Sequence, residues 1–129
     1  MFPTNARIRQ LQYQSETWQR DLAFIRQENI VLKNHLAEML SQYPVTPPFL
    51  ERIEVYQTHF VTKDEILLLI LSEIKEWDKS LVTESLRSGE GINEELIEDQ
   101  KRLSDAVHIF ISEFSRLKSD FNNYVCETI

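Results

Sequence analysis

Apolar residues recur along this chain at alternating spacings of three and four, in three blocks separated by short breaks. In the first block Ile8, Leu22, Leu36 and Tyr43 share one heptad position. Leu11, Trp18, Ile25, Leu32 and Met39 share the position three residues on. The second block runs Phe49, Ile53, Tyr56, Phe60, Lys63, Leu67, Ile70, Ile74, Trp77, Leu81. The third runs Leu96, Leu103, Val107, Phe110, Phe114, Leu117, Phe121, Tyr124. Such a period, kept over four or more heptads, predicts helices with left-handed, coiled-coil-like packing.

The breaks coincide with the helix-breaking residues. All glycines and prolines sit at Pro3, at Pro44–Pro47–Pro48, and at Gly89–Gly91. The uninterrupted segments predict helices over about 4–43, 47–88 and 92–126. Thr46 can cap the second, with Pro47 at the first helical position, where its missing N–H costs nothing. Asn93 can cap the third, with Glu94 and Glu95 favoured by the positive end of the helix dipole. Ile92 and Ile97 stand at the two positions of a hydrophobic staple. Ser88-Gly89-Glu90-Gly91 reads as a helix stop and turn. Short turns force neighbouring helices antiparallel. The expected fold is therefore all-α, an elongated antiparallel three-helix bundle forming one domain over 1–129. Trp18 should meet Ile74 or Trp77 and Leu103 or Val107, and Tyr56 and Phe60 should lie beside Phe121 and Tyr124.

Three features interrupt this regularity. Thr62-Lys63-Asp64-Glu65, flanked by Val61 and Ile66, has the form of a capping box and staple that could start a new helix. The heptad phase nevertheless runs unbroken from Phe60 to Leu67, which favours one continuous helix. Asn29 and Lys63 fall at core-type positions and, by the folding geometry, at about the same height. They form either a buried polar layer that fixes register, or a seam-edge pair whose lysine extends to water. Finally, Ile66-Leu67-Leu68-Leu69-Ile70-Leu71 is apolar around the whole helix circumference, more than one bundle edge can bury. Leu68, Leu69 and Leu71 thus form a candidate protein interface, with a second copy of the chain the simplest occupant, unless neighbouring side chains cover them.

Composition narrows the classes. With 129 residues, the chain can bury roughly two-thirds of its unfolded surface without staples. Two glycines preclude a Gly-rich phosphate loop, and the single cysteine, Cys126, precludes a disulfide framework or a multi-cysteine metal site. The net charge of −7 disfavours nucleic-acid binding, which needs a basic face. Charge also falls along the chain. Residues 1–43 carry five basic and four acidic groups, residues 44–88 five and eight, and residues 89–129 four and nine, giving +1, −3 and −5. This gradient weakly favours the first segment lying beside the last. The start, Met1-Phe2-Pro3-Thr4-Asn5-Ala6-Arg7, has no apolar signal region, and the longest apolar run is the six residues Ile66–Leu71. A cytoplasmic protein with no membrane span is expected. A membrane-surface role ranks low, because no concentrated basic face is present.

Little in the chain carries chemistry. The nearest approaches to the Glu-x-x-His pairs of di-metal bundles are His35-x-x-Glu38 and Asp105-x-x-His108, both reversed or substituted. His59 completes the histidines, and Lys33 beside His35 gives only a thin phosphotransfer context. Glu94–Glu95 and Glu98–Asp99 read as a solvated face, and Cys126 as an inert thiol near a fraying end. Trp18-Gln19-Arg20-Asp21-Leu22-Ala23-Phe24 through Glu28-Asn29-Ile30-Val31-Leu32-Lys33-Asn34-His35-Leu36 resembles the zipper-like helices of uncharacterised bacterial coiled-coil proteins. Glu28-Asn29-x-x-Leu32-Lys33 looks like part of a leucine zipper, although no basic region precedes it. The resemblance covers about 20 residues and implies no activity. The expectation is a non-enzymatic structural or interaction protein that uses no cofactor and binds itself or another helical protein. The alternative is a helical-bundle phosphotransfer or metal-binding protein using His35 or His108.

Overall fold

Each apolar block forms one α-helix in the computed structural model, which describes residues 2–87 and 92–128: α1 is Phe2–Gln42, α2 Pro47–Leu86 and α3 Glu94–Thr128. α1 begins before Pro3 rather than after it, because a proline in the first turn forfeits no intrahelical bond. At the start of α2, Thr46 is extended (φ −94°, ψ 156°), and its hydroxyl accepts from the Phe49 N–H at 3.4 Å. Pro47 and Pro48 fill the first two helical positions. Asn93 caps α3, its Oδ1 accepting from the Glu95 N–H at 2.9 Å and its carbonyl from the Leu96 N–H at 3.1 Å. Ile92 and Ile97 are both partly buried against the core. α2 ends where Arg87 turns extended and donates its N–H to the Glu84 carbonyl. The predicted turn Ser88-Gly89-Glu90-Gly91 lies outside the described residues.

α2 runs through Thr62 without a break. The capping box is unused: its two members, Thr62 and Glu65, are exposed within the continuing helix, and Asp64 between them is held by α1.

Cross-helix contacts define the arrangement. Gln19 meets Asp78, and Asn29 meets Phe60, so α1 and α2 are antiparallel. Tyr56 meets the carbonyl of Asp120, and Trp77 that of Leu96, so α2 and α3 are antiparallel too. α1 and α3 are consequently parallel, with Gln14 on Gln100, Glu28 on Lys118 and His35 on Phe121. All three pairs pack together, giving an all-α three-helix bundle. Forty-one residues of α1 span about 60 Å. The Glu28–Lys118 ion pair places the acid on α1 and the base on α3, against the overall charge gradient. Local register decides which charges meet.

The core follows the heptad positions closely. Of the apolar residues in the three predicted series, Tyr43, Leu117 and Tyr124 are half-buried and the others buried, while Val125 joins the core from beside the series. Near one end Trp18 and Trp77 pack with ring centroids 5.5 Å apart, and Trp77 Nε1 donates to the Leu96 carbonyl at 3.0 Å. That bond lets a bulky ring be buried without stranding its N–H. Toward the other end Phe121 packs edge-on against both Tyr56 and Phe60, each at 5.2 Å, with the Tyr124 ring tilted against Tyr56 at 5.5 Å. Each such side chain contributes about 1.5–3 kcal/mol by leaving water.

Candidate functional site: the middle of the second helix

Two departures from the usual distribution of polar and apolar groups meet α2 within three turns of each other. The first points inward. Asn29 of α1, only 1% exposed, sits at a position the heptad reserves for an apolar residue. Its Nδ2 donates to the Phe60 carbonyl at 2.9 Å and to Asp64 Oδ1 at 2.7 Å. Both partners are acceptors, which fixes the orientation of the amide. Asp64 Oδ2 accepts from Lys33 Nζ, one turn along α1 from Asn29. The Asn29 Oδ1 is buried with no hydrogen-bond partner among the described residues. Lys63, expected to share a layer with Asn29, takes no part in this network. It is half-buried, with its ammonium 5.7 Å from the centroid of the Phe110 ring on α3. The polar layer is thus Asn29–Asp64–Lys33, and Lys63 is the seam-edge residue whose stem packs.

Sequence reasoning missed Asp64, which appeared there only as an intervening residue of the Thr62–Glu65 string. Lys33, four residues after Asn29 on the same face, was a usable signal. Ser15 was missed as well. It is fully buried at the Ile8–Leu22 heptad position and hydrogen-bonded to Gln19, which also reaches Asp78.

The second departure points outward. Leu68 and Leu69, at the middle of α2, are 49% and 66% exposed. Val61, two turns before Leu68, is exposed on the same face. Leu71 is different: it is partly buried and packs against the core, as does Ile66. The outward apolar surface is therefore Leu68 and Leu69 without Leu71, because the flank of α2 bearing Leu71 is the one its neighbours cover.

Comparison with known families, curated proteins and solved structures finds no match.

The histidines are separate. His35 is half-buried, its ring edge-on to Phe121 at 5.8 Å, while His59 and His108 are exposed. No three His, Cys, Asp or Glu side chains among the described residues are grouped to hold a metal ion. Cys126 is exposed, two residues before the end of α3 at Thr128. A shallow groove of about 610 Å³ between α2 and α3 has Arg52, Lys63 and Arg116 matched by Glu113, Asp120 and Glu127. Arg52 lies over the Tyr56 and Tyr124 rings at 5.4 and 5.6 Å, where the aromatic faces share its charge. On the outer surface Arg102 is held above its usual range by its hydrogen bond to Glu73, with Asp99 adding to the effect. No helix among the described residues is long and apolar enough to cross a membrane.

Proposed function

We propose that this chain is a non-enzymatic structural or interaction protein of the cytoplasm that works through the surface of its long helices and self-associates as a homodimer. One observation carries the reading: two adjacent, exposed leucines, Leu68 and Leu69, at the midpoint of a 40-residue helix. Single exposed apolar residues are ordinary, but a contiguous apolar centre on a charged surface gains free energy when it is covered. A helix is best covered by another helix, whose side chains interdigitate with its own in coiled-coil-like fashion.

Light scattering coupled to size-exclusion chromatography tests this. Wild type is expected at twice the chain mass, and Leu68→Glu/Leu69→Glu at the mass of one folded chain. A wild-type protein that stays monomeric at high concentration would remove the self-association reading. Leu71 is unsuitable for the test because a charge there also disturbs the core.

A further inference from the structure

The exposed face of α2 carries its charges in a definite order. Glu65 precedes the leucine pair, and Ser72 and then Lys75 follow it; all are exposed. Glu65 and Lys75 are ten positions apart, about 15 Å along the helix. Most other charges on this stretch are engaged within the chain: Asp64 with Lys33, Glu73 with Arg102, Glu76 with Lys79, and Asp78 with Gln19. Glu65 and Lys75 make no ion pair or hydrogen bond among the described residues.

We propose that two copies of the chain meet through α2 in antiparallel orientation, about a twofold axis crossing the helix near Ile70. The proposal rests on the self-association reading above and adds the arrangement of the partner. Charge complementarity carries it. With the axis at Ile70, Glu65 of each copy comes level with Lys75 of the other. Leu68 comes level with Ser72, whose small side chain leaves room for the leucine. The apolar centre is then four leucines, two from each copy, flanked at both ends by a Glu–Lys pair. A parallel twofold pairing sets every residue level with itself, so Glu65 faces Glu65 and Lys75 faces Lys75. Like charges brought together in this way oppose association. A closed twofold contact of this kind also uses the same patch on both copies, so it ends at two chains.

Sedimentation equilibrium on the full chain separates the possibilities. Glu65→Lys converts two attractive pairs into two repulsive ones and is expected to weaken the dimer roughly tenfold. Glu65→Lys/Lys75→Glu restores the attraction in reversed sense and is expected to return the dimer close to wild-type affinity. Both residues are exposed, and circular dichroism would verify that helix content is kept. A wild-type dimer that Glu65→Lys leaves unchanged, or that the double reversal fails to restore, overturns the antiparallel arrangement while homodimerisation stands. A wild-type monomer overturns both.

Discussion

At its inner face α2 meets a buried amide of α1 and at its outer face it bears exposed leucines, and these two departures from the burial rule are resolved differently. Inside, a polar amide is sunk among leucines and aromatic rings, but its donors find acceptors on the facing helix. Outside, Leu68 and Leu69 face water, left uncovered by the described residues. Each buried polar atom left unpaired costs about 1–3 kcal/mol, so pairing both Asn29 donors matters to the fold even though its Oδ1 finds no partner among the described residues. An exposed leucine costs the folded chain little and becomes consequential only when a partner arrives. The inner departure therefore concerns which structure forms, and the outer one what that structure meets.

Substitutions can break this comparison at several strengths. Phe60 gives the upper reference, since its ring is fully buried in the aromatic layer and its carbonyl receives Asn29. Phe60→Ala should cost about 3–5 kcal/mol in urea-induced unfolding. Asp64→Ala should cost less, about 1–3 kcal/mol, because it strands one Asn29 donor and frees Lys33. A loss below a few tenths of a kcal/mol would mean the network is ornamental.

Asn29→Leu has the opposite expected sign. Replacing an incompletely satisfied buried amide with a packed leucine should raise stability by about 1 kcal/mol or more. If the polar layer fixes register, the same variant should become heterogeneous in mass or in its amide spectrum. Unchanged stability, mass and homogeneity together would end the register reading.

On the outer face, Leu68→Glu/Leu69→Glu should alter intrinsic stability by no more than about 0.5 kcal/mol when measured at dilutions where wild type is monomeric. Its effect should appear in the association state alone. The smallest effect is expected from His108→Ala, an exposed side chain outside both features. It should leave unfolding midpoint and solution mass at wild-type values, and a change in either would reopen a role for that histidine.

Much of this was legible in the residues. Heptad spacing picked out the buried positions, and Thr46 and Asn93 marked the helix starts, because capping and periodicity act over a few neighbouring residues. That Trp18 lies level with Ile74 or Trp77, and Tyr56 and Phe60 beside Phe121 and Tyr124, followed from folding the chain at its two breaks; the structure selects Trp77 as the ring against Trp18. The candidate site was less legible. Asn29 could be singled out as a polar intruder and Lys63 read either as its layer partner or as a seam-edge lysine, but Asp64 was not recognised as the partner. Height along a bundle follows from residue count, whereas the direction a side chain takes depends on where the neighbouring helix lies. Adjacent residues on a helix point about 100° apart, so Lys63 and Asp64 share a height and face different helices.

By itself, then, the order of residues determined the helical segments, their caps, their apolar seams and the antiparallel sense that short breaks impose. These depend on local backbone chemistry and on period. The tertiary structure alone decided that Asp64 joins Asn29 and Lys33 while Lys63 lies over Phe110. It also decided that Leu71 turns to the core while Leu68 and Leu69 turn to water, and that Glu28 meets Lys118 against the charge gradient. Each of those outcomes depends on rotation and offset between helices, which are set by the packing of all three seams at once.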